Sequence, residues 1–410
     1  MGQFRFNSSK KNGRFTALNM PEKISFSNTK NAFEAKSDAD LMRAYWLFKL
    51  ISNNFLVKIG PSITYRALQF GLPIKPLIKA TLYKHFVGGE TIEKCGETIK
   101  SLWKYNVGSI LDYSVEGAET EQLFNETRDE IISTIKRAKG DKSISFCVFK
   151  VTGVAKFSLL EKVSSGLHLS ITESAAFSTA QSRIDEICKT AYDNGVKIFI
   201  DAEESWIQNA IDEMAEKMMM FYNKTEAVVF NTIQLYRHDR LAYLKHSFGH
   251  SRNYGYYPGY KLVRGAYMEK ERERAVDMHY EDPIQPDKAA SDKDYDEALR
   301  FCLDNIDRIS ICAGTHNENS SLLLATLMDE KGIARNHPNI WFSQLLGMSD
   351  HISFNLAKAG YNVCKYVPYG PVKSVLPYLF RRASENTSIS GQMGRELSLI
   401  IQERKRRKVS

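Results

Sequence analysis

The feature that most restricts the fold of this chain is a repeated alternation of short apolar runs with longer helical stretches. The runs are Gly108–Asp112, Ser145–Lys150, Lys197–Asp201, Ala227–Asn231, Tyr260–Arg264, Ser310–Ala313, Ile340–Ser343 and Asn362–Tyr366, eight in all. Runs this short and this apolar read as strands, and a helix after each one supplies a parallel crossover. Eight such units predict an α/β fold closed into a parallel barrel. Polar or charged residues recur at or just beyond the C-terminal ends of the runs: Asp112, Lys150, Asp201, Arg264, Thr315, Gln344 and Tyr366. In a barrel those ends line the mouth, where chemistry is done. An open doubly wound sheet shares the alternation, but no G-x-G-x-x-G follows the first strand, so a Rossmann turn is excluded.

Length and composition agree with a large buried core. With 410 residues and 43% hydrophobic content the chain has room for one large barrel or two ordinary domains. Its six cysteines (95, 147, 188, 302, 312, 364) include no C-x-x-C pair, and its nine histidines no H-E-x-x-H. A disulfide framework and a metal centre are not expected, and a reducing compartment is. No apolar run reaches the roughly 18 residues of a membrane-spanning helix. The N-terminus has neither a secretory pattern nor the Ser or Thr that myristoylation requires at position 6, where Phe6 stands. A cytoplasmic location, with a candidate peripheral contact on the inner face of the membrane, is the expectation.

Residues 1–38 are polar, rich in Asn, Ser and Lys, and expected to be loosely ordered. Residues 39–105 read as a helical arm, with amphipathic segments at 44–59 and 77–86. Residues 106–398 hold the barrel, and 399–410 form a basic tail. In that tail Arg404-Lys-Arg-Arg-Lys408, offset by Glu403, accounts for half of the net charge of +8. Such a tail is commonly a solvated helix end, and no nucleic-acid partner is expected from it.

The last unit carries the most chemistry. Tyr366-Val-Pro-Tyr-Gly-Pro is a strand running into a turn, and Tyr378-Leu-Phe-Arg381-Arg382-Ala-Ser-Glu385-Asn386 is helical. On a helix Tyr378 lies one turn before both arginines, and Glu385 one turn after them. Two guanidinium forks, an orienting glutamate and an aromatic wall suit a small carboxylate. An exposed Arg/Glu helix face is the plainer reading of the same spacing.

This signature resembles the C-terminal motif of proline dehydrogenases, flavoenzymes that oxidise L-proline. Further segments are similar to that family in the same order: Asp201-Ala-Glu-Glu-Ser, Lys261-Leu-Val-Arg-Gly-Ala-Tyr267, Ala313-Gly-Thr-His-Asn-Glu-Asn and Gln344-Leu-Leu-Gly-Met-Ser-Asp. The resemblance runs from about residue 112 to about 397. It implies a distorted (β/α)8 TIM-like barrel with an N-terminal helical arm and a C-terminal helix over the barrel mouth.

It also implies roles. Arg381, Arg382 and Lys150 pair with the substrate carboxylate, and Glu385 orients the arginines. Tyr267, Tyr366 and Tyr378 wall the pyrrolidine ring. Asp201 hydrogen-bonds Tyr366, while Asp112 and Glu116 lie near the substrate without touching it. Gln234, Lys261, Arg264, Thr315, His316 and Asn317 contact FAD. Lys261 and Arg264 stand where bifunctional bacterial relatives carry Arg and Lys, which points to the monofunctional branch. A bulky Tyr366 favours proline over hydroxyproline, whose oxidising relatives have Ser there. Electrons are expected to pass to a membrane quinone, and the product to a separate 1-pyrroline-5-carboxylate dehydrogenase, 410 residues leaving no room for that domain. The competing reading from another class is a non-catalytic barrel binding membrane or nucleic acid through residues 404–408.

Overall fold

The computed structural model describes residues 24–70, 72–114, 119–388 and 392–409; side chains 54–58, 65, 68, 384–388, 392–393 and 409 are not described. Eight strands are present: β1 Val107–Tyr113, β2 Ile144–Lys150, β3 Ile198–Asp201, β4 Val229–Gln234, β5 Gly259–Val263, β6 Ser310–Gly314, β7 Ile340–Leu345 and β8 Val363–Tyr369. They form a closed barrel in sequence order. Every neighbouring pair is parallel, and β1 closes on β8 from Val107↔Val363 to Tyr113↔Tyr369. The expected strands are all found.

β4 starts two residues later than its apolar run suggests. The side-chain oxygen of Asn223 accepts from Val228 N and Val229 N, holding the approach to the strand in a turn. The strand then runs on to Gln234, which puts that amide at the mouth.

Alternation sorts each strand into two faces. Outward residues such as Leu111, Ile200, Ile233 and Leu262 meet the surrounding helices in one continuous core. Inward residues plug the barrel with aromatic rings. Phe146 stacks on Phe199 at 4.3 Å between centroids, and Phe230 and Trp341 meet Phe146 edge-on. Gly259 is required here: a Cβ would come within 2.6 Å of the Phe230 ring. The plug closes the lower barrel and gives the mouth an aromatic floor.

The arm and the C-terminus form a second core that supports the mouth. Helix Asp38–Ile51 begins with a Ser37/Asp40 capping box, which satisfies two otherwise orphaned N–H groups. Its buried face, Leu41, Ala44, Leu47, Phe48 and Ile51, clusters with Val375, Leu376 and Leu379, and with Leu399 and Ile400 of helix Gln392–Val409. Burial of each large side chain contributes about 1.5–3 kcal/mol.

Two expectations about the ends of the chain are corrected. Among the described residues of the 1–38 segment, Ala32 and Phe33 are buried in this core, because their apolar side chains meet helices distant in sequence. The basic tail is a continuation of helix Gln392–Val409, so the boundary at 398 falls inside a helix. Arg406 and Arg407 both pair with buried Glu403, and Arg407 also donates to the carbonyls of Phe33 and Lys36. The tail thereby fastens the N-terminal segment. Residues 1–23 lie outside the described residues.

Candidate active site at the barrel mouth

Strand ends build the site. Asp201, last residue of β3, accepts from three donors: Lys261 Nζ at 2.6 Å, Thr232 Oγ1 at 3.3 Å and the Tyr366 hydroxyl at 3.1 Å. These come from β5, β4 and β8, so one carboxylate ties three strands across the mouth. The Lys261 ammonium also lies over the rings of Phe199 and Tyr366, at 5.3 and 4.8 Å from their centroids. Its charge is thus met by a carboxylate and two π faces.

A second acidic group faces Tyr366 from β1. Asp112 is buried, bonded to the Ser114 hydroxyl, and hydrogen-bonds the Tyr366 hydroxyl. Burial pushes its carboxyl up to about 6, against the lowering effect of Lys150. Glu203, two residues beyond β3, accepts from Thr152 N at 3.0 Å and Thr152 Oγ1 at 2.5 Å. Burial pushes it to about 7, with Lys150 again opposing. Glu203 was not among the expected site residues, although Asp201-Ala-Glu-Glu contains it.

The cations expected at a carboxylate converge. Tyr267 feels Lys150 from β2 and Arg381 from helix Leu376–Ser388, both opposing the upward push of burial on its phenol. Arg382 lies with its guanidinium carbon 5.1 Å from the Tyr378 ring centroid, both residues buried. Tyr378 also acts electrostatically on Tyr366. The structure therefore brings together Lys150, Tyr267, Tyr366, Tyr378, Arg381 and Arg382. Glu385 is in the same helix, but its side chain lies outside those described, as does Glu116 altogether. In the K-L-V-R-G-A-Y segment Gly265 (φ 147°) passes so close to Tyr236 that a Cβ would lie 2.3 Å from its ring. Only glycine allows the chain to turn Tyr267 towards the mouth there.

The residues expected to contact a cofactor divide in two. Gln234 fits a flavin well: Nε2 donates to Glu203 O at 2.9 Å, and Oε1 is buried with no partner among the described residues. A buried acceptor left this way is costly, and a ring N–H of an isoalloxazine satisfies it. Lys261 and Gln234 lie on neighbouring strands, a donor and an acceptor of the kind such a ring edge would need. Arg264, Thr315 and Asn317 instead show local bonds. Arg264 pairs with Asp292 at 2.6 Å and donates to Thr315 Oγ1 at 2.9 Å. Asn317 caps helix Glu318–Glu330 by accepting from Asn319 N and Ser320 N. That helix N-terminus still presents a positive dipole to an anionic group. His316 Nδ1 is 2.9 Å from Ser349 Oγ, and burial holds its imidazole down to about 3, aided by Lys365 and Arg382, so it is neutral. No group of His, Cys, Asp and Glu suited to a metal occurs among the described residues.

A parallel (β/α)8 barrel whose mouth gathers cations and tyrosines beside a buried amide oxygen with no partner among the described residues fits an oxidoreductase class of site. The proline dehydrogenase family model matches residues 95–395. The chain belongs to the proline dehydrogenase family. It is 32% identical to "Proline dehydrogenase 1, mitochondrial" of Dictyostelium discoideum, over 93% of this chain and 74% of that protein. It is also 32% identical to the hydroxyproline dehydrogenase of Xenopus laevis, over 94% of this chain and 90% of that protein. Among solved structures, proline utilization A (PutA) from Bdellovibrio bacteriovorus shares the fold with a TM-score of 0.71 at 18% identity. That match covers 92% of this chain but 40% of the PutA chain, so this chain spans less than half of that structure.

Proposed function

We propose that the chain oxidises L-proline to 1-pyrroline-5-carboxylate with bound FAD. The observation that carries this reading is the convergence of Lys150 of β2 and Arg381 of helix Leu376–Ser388 on Tyr267. Lys150, Arg381 and Arg382 bind the carboxylate; the Arg forks fix its orientation and Lys150 adds a point charge. Tyr267, Tyr366 and Tyr378 hold the ring and keep water from it. Gln234 and Lys261 hold the flavin edge, with Arg264, Thr315, His316 and Asn317 around them. FAD, when bound, supplies the hydride acceptor. Incubation of FAD-loaded protein with L-proline should yield a product two hydrogens lighter by mass spectrometry. An unchanged substrate contradicts the reading.

The acceptor we assign to the reduced enzyme is a membrane quinone, reached by peripheral docking, with the product passed to a 1-pyrroline-5-carboxylate dehydrogenase. No helix of the described residues is long and apolar enough to cross a membrane. The arm supplies a docking surface: between Leu41 and Gly89 stand seven Lys or Arg (43, 49, 58, 66, 75, 79, 84) and no Asp or Glu. Trp46, Ile63, Phe70 and Leu77 are exposed in the same stretch. Basic charge with exposed large apolar side chains fits an anionic lipid surface. Helix Asn54–Gln69 of this arm packs on Leu376–Ser388, which carries Arg381 and Arg382. Docking through the arm places the mouth near the bilayer.

A further inference from the structure

Resting on that reading, we infer that Asp112, expected only near the substrate, is itself the group that takes the proton from the substrate's ring ammonium. Proline in water carries a protonated ring nitrogen, which has no lone pair to support removal of hydride from the adjacent carbon. That proton must leave before oxidation. The clamp of Lys150, Arg381 and Arg382 is cationic and accepts no proton.

The hydrogen bonds at the mouth single out Asp112. One hydroxyl, that of Tyr366, faces two carboxylates, Asp112 from β1 and Asp201 from β3. A phenol has a single proton to donate. Asp201 accepts it, together with donations from Lys261 and Thr232, which is the pattern of an ionised carboxylate. Among the described residues no ammonium is hydrogen-bonded to Asp112, which takes the Ser114 hydroxyl and faces the oxygen of Tyr366. It is the acid with spare capacity to gain a proton, and once protonated it can donate to the Tyr366 oxygen. The groups facing it are Lys150 from β2, Asp201 from β3, and Tyr366 and Tyr369 from β8. The titration near 6 that burial gives it leaves it ionised and basic at neutral pH. Glu203 is less suited, because both its oxygens are taken by Thr152.

The step balances simply. The substrate N–H bond breaks and an O–H bond forms on an Asp112 carboxylate oxygen. The ammonium and the carboxylate are both neutralised, and no electrons move between groups. The nitrogen keeps the electron pair that supports the later loss of hydride.

Two measurements on the holoenzyme test this. With the flavin reduced beforehand by dithionite, so that proline binds without turnover, L-proline should raise a protonated-carboxyl infrared band. The band should be missing in Asp112→Asn and with the ring-ether analogue, which has no proton to give. In wild type kcat/KM should rise with pH through a limb near 6. In Asp112→Asn it should fall by about 10²–10⁴-fold at neutral pH, its limb moving to the alkylammonium range, about 10. A band that survives in Asp112→Asn, or a limb that stays near 6 in that variant, overturns the assignment. A wild-type flavin that proline never bleaches at any pH overturns the proline reading beneath it as well.

Discussion

Tyr366 on β8 and Asp201 on β3 are joined by a hydrogen bond of 3.1 Å that crosses the barrel mouth. In the proposed function the same tyrosine walls the substrate ring. Replacing it with Ser removes the phenol and opens a polar void. Tyr366→Ser should shift the ratio of kcat/KM for 4-hydroxyproline over proline upward by about 10–200-fold. Competition kinetics with both substrates check it, and an unchanged ratio removes Tyr366 from specificity.

Lys261 and Asp201 form a buried ion pair of 2.6 Å. Removing one partner of such a pair leaves the other charge stranded, costing about 3–5 kcal/mol. Lys261→Met should lower the urea unfolding midpoint accordingly. Lys261→Met with Asp201→Asn should recover part of the loss, because no charge is left unmatched. Additive losses in the double variant contradict the pairing.

Stability should depend on pH in opposing parts. Burial holds His85 and His316 down to about 4 and about 3, below the unfolded value of about 6.5. The unfolded chain then binds more protons, so this contribution is lost as pH falls from 6.5. Burial raises Asp112 and Glu203 to about 6 and about 7, so the folded state holds protons the unfolded chain has released. That contribution is lost as pH rises from about 4 to about 7. The two pairs nearly cancel between about pH 5 and 6, above the range in which the contributions of Glu318 and Glu403, both held down to about 2, are lost. Urea midpoints should be flat there in wild type, and Glu203→Gln should tilt the window so that stability rises with pH. A slope identical in both proteins contradicts the assignment.

Glu396 fastens the C-terminal helix to Ser349 and, through it, to His316 at the mouth. Its buried carboxylate accepts from Ser349 N, a residue held at φ 51°, and Ser349 Oγ meets His316. Glu396→Ala leaves a buried N–H unsatisfied, at about 1–3 kcal/mol. It should lower the thermal midpoint and weaken flavin retention, read as flavin fluorescence released on dilution. Retention equal to wild type separates this helix from the cofactor site.

Docking through the arm should require anionic lipid. The protein should co-sediment with phosphatidylglycerol vesicles and not with phosphatidylcholine, and salt should weaken the binding. Phe70→Ser with Leu77→Ser should abolish it while leaving turnover with a soluble acceptor intact. Binding undiminished in that variant moves the contact elsewhere on the chain.

The barrel was legible because the strands are short apolar runs with polar residues recurring at or just beyond their ends. Lys150, Asp201 and Tyr366 could be placed from that pattern together with the family motifs. What the sequence hid arises from contacts between distant segments. That Ala32, Phe33 and Leu41 share a core with Leu379 and Leu399 has no local signal, so the end segments read as loose. Asn317 was expected at the cofactor, yet the spacing Asn317-x-x-Ser320 is also that of a helix cap, which is how its side-chain oxygen is used. Lys365, buried on the outer face of β8 against Asp350 at 2.8 Å, escaped notice because a lysine inside an apolar strand gives no sign of its partner. The meeting of Asp112 and Asp201 at the Tyr366 hydroxyl joins residues of three strands, which only the closed barrel brings about.

The most direct measurement is the visible absorbance of the purified, FAD-supplemented protein before and after anaerobic addition of L-proline. The account predicts a flavin band that proline bleaches, with Arg381→Met and Arg382→Met each raising the proline concentration required. A protein that holds no flavin, or a flavin band that proline leaves unchanged, contradicts it.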